Sequence, residues 1–332
     1  MLSLKKNISL KAYNSLRIDA VAEFFFEATS EEESIEAIVY ARNNNLKLQI
    51  VGEGTNLVLS KSRYNGLILK NSIKGKSIHG DLACISSGEA WHDSVLWSLD
   101  NNLFGLENLS LIPGSVGAAP VQNIGAYGRD ISEFIDSVRA INLETLEIET
   151  FNNTQCDFSY RNSLFKLKPI YLITEVILKL SKEPTIDVSY KSLSNHMKEK
   201  NISEYTPYNV CKAVCEIRNK TLPNPLTNPN VGSFFKNIIL EKAEYLALQK
   251  ILDTPYNLDK QGNYKISTAF LIEQAGWRGK SAGELSVSSD HSLVLISSGL
   301  ASGEQVLNFA KNIIEDIKIK FNVSLEIEPS II

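Results

Sequence analysis

The sequence predicts a mixed α+β fold rather than a doubly wound Rossmann domain, and three observations lead to this prediction. Apolar segments typical of strands follow one another with only one or two helical segments between them. Two glycine-rich turns, at residues 52–56 and 112–128, match neither GxGxxG nor GxxxxGK[ST]. Residues 221–230 read TLPNPLTNPN, a composition rich in turn residues that indicates a domain boundary.

The first 71 residues are predicted to form a compact α+β unit. Ser30 and Glu33 have the spacing of a capping box, and the apolar positions after them predict a helix to about Asn44. The strand before the first glycine-rich turn ends at Val51. The strands predicted in this unit are residues 24–26, 46–51, 58–60 and 66–70.

Residues 72–220 are predicted to surround the longer glycine-rich stretch. Trp91, Val95, Leu96 and Leu99 give one apolar face of a helix. Residues 182–200 are polar and are expected to form a loop. The strands predicted here are residues 83–88, 137–142, 147–151 and 171–179, of which the middle two form a hairpin.

After the linker at residues 221–230, the chain is predicted to be mixed again. Ser302 and Gln305 have the spacing of a second capping box, and the helix after them carries an apolar stripe from Val306 to Ile317. The other elements predicted here are helices at residues 240–252 and 268–275 and strands at residues 285–297 and 323–327.

The two glycine-rich turns suggest a ligand that carries phosphate. Small residues let a backbone approach a ligand closely, and backbone N–H groups can hold phosphate oxygens. Because neither turn has a nucleotide-binding fingerprint, we expect a pyrophosphate held mainly by the backbone. The alternative is a seam of small residues that lets two chain segments pack tightly.

The composition is that of a soluble globular protein, with 43% hydrophobic and 22% charged residues. A net charge of −4 argues against a nucleic-acid partner. The sequence has no apolar run of 18 residues and no apolar signal segment, so a cytoplasmic location without a membrane partner is expected. The spacing of the four histidines and four cysteines favours no metal site. The cysteines are expected to be reduced thiols: Cys84, Cys156, Cys211 and Cys215.

Several motifs in series resemble one enzyme family. These motifs, in chain order, are GEGTN at residues 52–56, GLENLSLIPGSVGAAPVQNIGAYG at 105–128, YRNS at 160–163, GSFFKN at 232–237 and LEIE at 325–328. Their order resembles that of the UDP-N-acetylenolpyruvoylglucosamine reductases over nearly the whole chain, in the subfamily with a tyrosine loop that covers the substrate.

The resemblance implies both a fold and a reaction. Family members use FAD and NADPH to reduce UDP-N-acetylglucosamine enolpyruvate to UDP-N-acetylmuramate, in the synthesis of peptidoglycan precursors. A monomer acting on a small-molecule substrate is expected. The implied fold is an FAD-binding fold of the vanillyl-alcohol-oxidase (PCMH) type in two subdomains, residues 1–71 with 318–332 returning and residues 72–220, followed by an α+β substrate-binding domain at residues 221–317.

The resemblance assigns both glycine-rich turns to FAD. The residues implied to contact it are Gly52, Gly54, Thr55, Asn56 and Leu57 in the first turn, and Pro113, Gly114, Ser115, Gly117, Ala118, Asn123, Gly125, Ala126, Tyr127 and Gly128 in the second.

Three residues are implied to be catalytic. Ser233 would protonate the substrate carbon opposite the one that receives hydride, although a serine in this position is also typical of a helix N-cap. Arg161 would bind the enolpyruvyl carboxylate and stabilise the charge that develops on it; the alternative is a surface ion pair. Glu328, in protonated form, would polarise the same carboxylate. Glu326 is a rival for this role, and a solvated strand-edge carboxylate is the alternative for either.

Further residues are implied to contact the substrate. The family usually has lysine directly before Leu-Pro, where this chain has Thr221, so the role passes to the preceding Lys220. The family also often has a basic residue after the catalytic glutamate, where this chain has Pro329. The implied substrate contacts are Tyr160, Tyr190, Lys220 and Asn237.

Two other functions remain open from the residues alone. One is an oxidase of the same FAD-binding superfamily that acts on a small alcohol or sugar, which would need neither the GSFFKN motif nor the C-terminal glutamate. The other is a nucleotide-binding regulatory protein that has lost the chemistry, against which the presence of Ser233 and Arg161 argues.

Overall fold

The computed structural model describes residues 3–259 and 261–332, which form two compact units. The first unit comprises the described residues up to Ile8, together with Ala22–Glu53 and Asn65–Lys220. The second comprises Ser9–Val21, Gly54–Tyr64 and the described residues from Thr221 onward. Thr221 also begins the Pro/Asn-rich segment, while the division into three domains stays a prediction.

The described residues form strands and helices in roughly alternating runs. The strands are β1 (Lys5–Ser9), β2 (Val21–Ala28), β3 (Leu48–Val51), β4 (Leu57–Val58), β5 (Arg63–Asn71), β6 (Lys76–His79), β7 (Leu82–Ser86), β8 (Gly125–Ala126), β9 (Arg129–Asp130), β10 (Ile135–Asn142), β11 (Ile148–Asn152), β12 (Tyr171–Lys179), β13 (Ile238–Leu240), β14 (Tyr256–Leu258), β15 (Tyr264–Ile266), β16 (Ser281–Ala282), β17 (Leu285–Val287), β18 (Leu295–Ser297) and β19 (Ser330–Ile331). The helices are α1 (Glu31–Asn43), α2 (Trp91–Asp100), α3 (Leu164–Leu167), α4 (Lys191–Glu199), α5 (Pro207–Thr221), α6 (Lys242–Gln249), α7 (Thr268–Gln274) and α8 (Gly303–Phe321).

The first unit is built on two sheets. One has the strand order β1-β2-β5-β3, with β3 and β5 parallel. The other has the order β11-β10-β12-β7-β6 and is antiparallel throughout. Helix α1 covers the first sheet, where buried Ala37 and Ile38 pack with Leu67 and Leu69 of β5. Trp91 of α2 lies in the core of the second sheet.

Helices α4 and α5 form a separate apolar cluster in the first unit. Leu193 and Met197 of α4 pack on Val210 and Val214 of α5. Tyr127, from the longer glycine-rich stretch, is partly buried against the same cluster. The helix pair is therefore held beside the stretch that the sequence assigns to the cofactor.

The second unit contains three small sheets, with orders β13-β15-β14, β16-β17-β18 and β19-β4. Helix α8 begins with a complete capping box, in which Ser302 Oγ accepts from Gln305 N and the Gln305 side chain accepts from Ser302 N. The C-terminal strand β19 pairs in parallel with β4, with Ser330 opposite Leu57. The end of the chain thus lies beside the first glycine-rich turn.

Several predicted elements are confirmed, and the first capping box is modified. The hairpin forms as β10 and β11, and the strand at residues 171–179 forms as predicted. Ser30 Oγ accepts from Glu33 N at 3.2 Å, whereas the Glu33 carboxylate reaches back to Thr29 N at 2.7 Å instead of Ser30.

Other element predictions were wrong. Residues 285–297 form β17 and β18 rather than one strand, because Ser288 Oγ accepts from the N–H groups of Asp290 and His291 and turns the chain. Residues 323–327 are not a strand apart from one isolated bridge at Ile327. Residues 182–200 contain α4, and α5 was not predicted.

No helix among the described residues combines the length and apolar character needed to cross a bilayer.

Candidate active site

The longer glycine-rich stretch is fixed to its own unit by backbone hydrogen bonds. Val116 N donates to Glu89 O and Gly117 N to Ser87 O, each at 2.8 Å. A Cβ on Gly52 would lie 2.6 Å from Ser115 Oγ, so the beginning of the first turn packs closely on this stretch. Small residues here therefore serve packing as well as ligand approach. The N–H groups of Val116 and Gly117 are used within the protein.

The remaining predicted cofactor residues of this stretch lie in a short series of turns. Gly114 O accepts from Trp91 N at 2.9 Å. Asn123 is buried and connects two neighbouring segments, because its Nδ2 donates to Ser159 O and its Oδ1 accepts from Ser132 N, each at 3.1 Å. Pro113 and Ala118 are exposed, and Gly125 and Ala126 form β8.

The structure brings Arg161 onto the glycine-rich stretch. Its Nη2 donates to Gly125 O at 2.7 Å and its Nη1 to Asn123 O at 3.2 Å. Nη1 also lies 3.4 Å from the Asp130 carboxylate, and the guanidinium carbon lies 5.2 Å from the centroid of the Tyr160 ring. The side chain is only 18% exposed. Arg161 therefore forms an ion pair with Asp130, as in the alternative interpretation, and also fixes loop carbonyls with part of its guanidinium.

Tyr190 lies against the same stretch. Its ring and that of Tyr127 meet edge to face with centroids 5.6 Å apart, and a Cβ on Gly128 would lie 3.9 Å from Tyr190 Cβ. Tyr190 is the N-cap residue of α4 and is 50% exposed, whereas burial raises the pKa of Tyr127. The structure thus brings two of the predicted site tyrosines together in the first unit.

Lys220 lies near the end of α5, beside a cavity of about 670 Å³. Lys200 lines the same cavity, together with His196 and Glu216, whose side chains are joined by a hydrogen bond of 2.9 Å. Glu199 also lines it, so the two lysines of this cavity lie beside two carboxylates. Thr221, which occupies the usual lysine position, is the last residue of α5.

In the second unit, the turn at residues 54–57 is supported by the chain that precedes β2. Gly54 has φ +65°, and a Cβ built on it would lie 2.1 Å from Tyr13 O. Only glycine fits there without moving the backbone. Ser15 N donates to Gly54 O at 3.1 Å, and Asn56 O accepts from Ser330 N at 3.1 Å. Thr55 is half-buried and Leu57 is buried in the pairing with β19.

The GSFFKN segment is extended and pairs with chain on both sides within the second unit. Ser233 forms an isolated antiparallel bridge with Val294, and Phe235 forms one with Ile327. Glu328 N donates to Phe234 O at 3.0 Å. Ser233 is not followed by a helix, so the N-cap alternative is wrong. The segment of Ser233 is thereby fixed beside that of Glu328.

The two candidate glutamates differ in their surroundings. Glu326 has a side chain that is 70% exposed and forms a short ion pair with Lys236. Glu328 is half-buried. Nearby, Asn237 Oδ1 accepts from Thr268 N at 3.1 Å, which connects the end of the GSFFKN segment to the first turn of α7.

The sequence analysis missed Arg218 and His92. Arg218 Nε donates to Leu111 O at 3.2 Å, and His92 Nδ1 accepts from Leu111 N at 3.0 Å. Leu111 has φ +58° and directly precedes the glycine-rich stretch. Burial lowers the pKa of both side chains. One signal in the sequence could have found Arg218. It lies four residues after Val214, so it continues the apolar stripe of α5 with a charged residue.

Comparisons with known proteins identify the family. Residues 22–150 match an FAD binding domain, and residues 224–332 match the UDP-N-acetylenolpyruvoylglucosamine reductase, C-terminal domain. A UDP-N-acetylenolpyruvoylglucosamine reductase from Flavobacterium johnsoniae is 40% identical over 340 residues, with 100% of both chains covered. The chain belongs to the UDP-N-acetylenolpyruvoylglucosamine reductase family. A reductase of the same name from Pseudomonas aeruginosa is 37% identical, with 99% of each chain covered.

A solved structure agrees with this assignment at the level of the fold. The crystal structure of the reductase from Thermus caldophilus has a TM-score of 0.72 and 19% identity, covering 100% of this chain and 99% of that chain. The predicted fold class, an α+β FAD-binding fold with an additional C-terminal α+β domain, is confirmed, and this member of the reductase family is an FAD-dependent oxidoreductase.

The residues present fit FAD. The turn at residues 54–57 has the glycine and short polar side chains of an anion-binding loop, while the space beside Gly54 is filled by Tyr13 O. Beside that turn, the Ser15 hydroxyl oxygen is buried and has no hydrogen-bond partner in the structure. Within the second unit, the turn at residues 54–57 and Ser15 would hold the anionic part of the cofactor.

Proposed function

We propose that this reductase uses NADPH to reduce the enolpyruvyl group of UDP-N-acetylglucosamine enolpyruvate, giving UDP-N-acetylmuramate. The observation that carries the proposal is the pairing of the GSFFKN segment with the C-terminal segment, because Glu328 N donates to Phe234 O at 3.0 Å. Because of this pairing, Ser233, the candidate proton donor, and Glu328, the candidate carboxylic acid, lie on neighbouring hydrogen-bonded segments. An alcohol oxidase has no need for such a pair.

The chain's own residues would bind, polarise and protonate the substrate. Bound FAD supplies the hydride chemistry, which no protein side chain can provide. Arg161 would bind the substrate carboxylate through its guanidinium, which is held in place by Gly125 O, and would stabilise the negative charge that develops there. Ser233 would then donate a proton to the adjacent carbon.

We assign the polarising carboxylic acid to Glu328 rather than Glu326. Glu326 is mostly exposed and forms an ion pair with Lys236, whereas Glu328 is half-buried beside the GSFFKN segment. We expect Glu328→Gln to lower kcat for the enolpyruvyl nucleotide by about 10²-fold or more, because an amide donates a weaker hydrogen bond than a carboxylic acid. Glu326→Gln should stay within about threefold. Steady-state kinetics of the two variants measure this, and equal losses would contradict the assignment.

Further contacts complete the proposed site. Tyr190, half-exposed beside Tyr127, would cover the substrate, and Tyr160 and Asn237 would contact its polar groups. Lys220 would pair with a phosphate. The proposed setting is the cytoplasm, where NADPH and nucleotide sugars are made, with the chain acting as a monomer without nucleic-acid or membrane partners.

The two halves of the reaction can be tested separately. Under anaerobic conditions, NADPH should bleach the flavin absorbance of the purified protein near 450 nm, and the enolpyruvyl nucleotide should restore it with formation of the saturated product. The control is the same experiment with UDP-N-acetylglucosamine, which lacks the double bond and should restore nothing. Reoxidation by oxygen but not by the enolpyruvyl nucleotide would contradict the proposal and favour the oxidase.

A further inference from the structure

We infer that the hydroxyl group of Ser15 binds the diphosphate of FAD and is part of the cofactor site. The inference deepens the FAD site on which the proposed function rests. Ser15 lies outside both glycine-rich stretches, in the segment before β2. Its backbone N–H donates to Gly54 O at 3.1 Å, and Tyr13 O lies where a Cβ on Gly54 would be. The segment from Tyr13 to Ser15 is therefore one wall of the turn at residues 54–57.

The Ser15 hydroxyl is an unusual group in this structure. Its oxygen is buried without a hydrogen-bond partner, a condition that only two other side-chain atoms of the described residues share. Burying a hydroxyl without a partner is unfavourable, so native proteins usually satisfy such groups. A ligand acceptor at the adjoining turn would provide the missing partner.

The hydroxyl cannot easily turn away to find another partner, because its segment is rigid. Asn14 is buried, and its Nδ2 donates to Leu10 O at 2.8 Å and to Ile18 O at 2.9 Å. Its Oδ1 accepts from Ile18 N at 2.9 Å. The next residue, Leu16, is fully buried. Three hydrogen bonds of the Asn14 side chain thus hold the backbone at Leu10 and Ile18, on both sides of Ser15, before any ligand binds, which lowers the entropy that binding costs.

The chemistry of the turn selects the diphosphate over the other parts of FAD. A serine hydroxyl can donate one hydrogen bond, and a bond to a charged oxygen is stronger than one to a neutral group. Gly54 has φ +65°, a turn conformation of the kind in which backbone N–H groups can face an anion. We therefore expect Ser15 to donate to a diphosphate oxygen rather than to a ribityl hydroxyl or the isoalloxazine ring.

The test compares FAD binding and stability in Ser15→Ala. The purified protein is freed of flavin and titrated with FAD, using quenching of flavin fluorescence as the readout. We expect the Kd for FAD to rise about tenfold or more, and ADP, which carries a diphosphate, to compete correspondingly less well. Binding of riboflavin, which has no phosphate, should not change. The flavin-free variant should unfold at a higher urea concentration than the flavin-free wild type, because the unpaired hydroxyl is gone.

Ser292→Ala is the matched control. Ser292 also has a buried hydroxyl oxygen without a partner, but it lies between β17 and β18. Its alanine variant should gain stability without losing affinity for FAD, and Ser15→Thr, which keeps the hydroxyl, should retain most of the affinity. An unchanged FAD affinity in Ser15→Ala, or an equal loss in both alanine variants, would overturn the inference.

The outcome is separable from that of the proposed function. If Ser15→Ala lowered stability and left FAD affinity intact, Ser15 would be a structural residue only. If the wild type bound FAD tightly but failed to reduce the enolpyruvyl nucleotide, the proposed substrate would be wrong, and the FAD titrations would still decide the role of Ser15.

Discussion

Ser233→Ala is expected to slow reduction of the enolpyruvyl nucleotide by about 10²–10⁴-fold, the range typical for loss of a general acid. Oxidation of NADPH by the bound flavin should keep its wild-type rate, because that half-reaction needs no proton from Ser233. Anaerobic stopped-flow absorbance at the flavin band measures the two rates on the same sample. The expected signature is a variant that bleaches normally with NADPH and recovers its colour very slowly with the nucleotide.

The structure makes this substitution a clean probe of the hydroxyl group. The segment is fixed by its backbone, through Phe234 N donating to Leu293 O at 2.8 Å, and by two fully buried phenylalanines. Alanine changes none of these contacts. Ser298→Ala is a suitable control, because its hydroxyl is paired with Glu284 on the exposed surface. Equal slowing of both half-reactions would point to general damage and argue against a proton-donor role.

Secondary structure was predictable from the sequence where the spacing of the buried apolar residues matches the repeat of a helix or a strand. Strand β12 forms at residues 171–179 as predicted, because its apolar residues pack on both sides of a central strand. Helix α8 begins at Ser302, whose capping box is visible in the sequence. The prediction of one strand at residues 285–297 was wrong. Ser288 turns the chain there through a side-chain hydrogen bond, and such a bond leaves no trace in the hydrophobic periodicity.

The residue types of the site were predictable, but their arrangement was not. Asn123, Tyr127 and Arg161 all have positive φ, a conformation that non-glycine residues rarely adopt and that no pattern predicts. Such strain persists only where the surrounding structure fixes it. The hydrogen bonds of Arg161 to two carbonyls of the glycine-rich stretch provide this fixation. The motif thus singled out Arg161 as a candidate, while its hydrogen bonds to the loop are visible only in the fold.

Arg161→Ala is expected to lower kcat/KM for the enolpyruvyl nucleotide by about 10²–10³-fold, the loss typical when one stabilising donor of a developing charge is removed. Because the same guanidinium donates to Gly125 O at 2.7 Å, FAD should also bind several-fold more weakly. Arg161→Lys should recover only part of the activity, since one ammonium cannot reproduce the planar, two-sided geometry of a guanidinium. Kinetics with varied nucleotide, together with flavin titration, measure both effects.

Arg139→Ala separates this role from a general effect of removing an arginine. Arg139, on β10, also makes two hydrogen bonds in the first unit, to Glu31 at 2.8 and 2.9 Å. Its variant should retain kcat/KM within about threefold and lose about 1 kcal/mol of stability at most. A comparable kinetic loss in both variants would contradict a specific role. Normal activity of Arg161→Ala with weakened FAD binding would reduce Arg161 to a residue that only holds the loop.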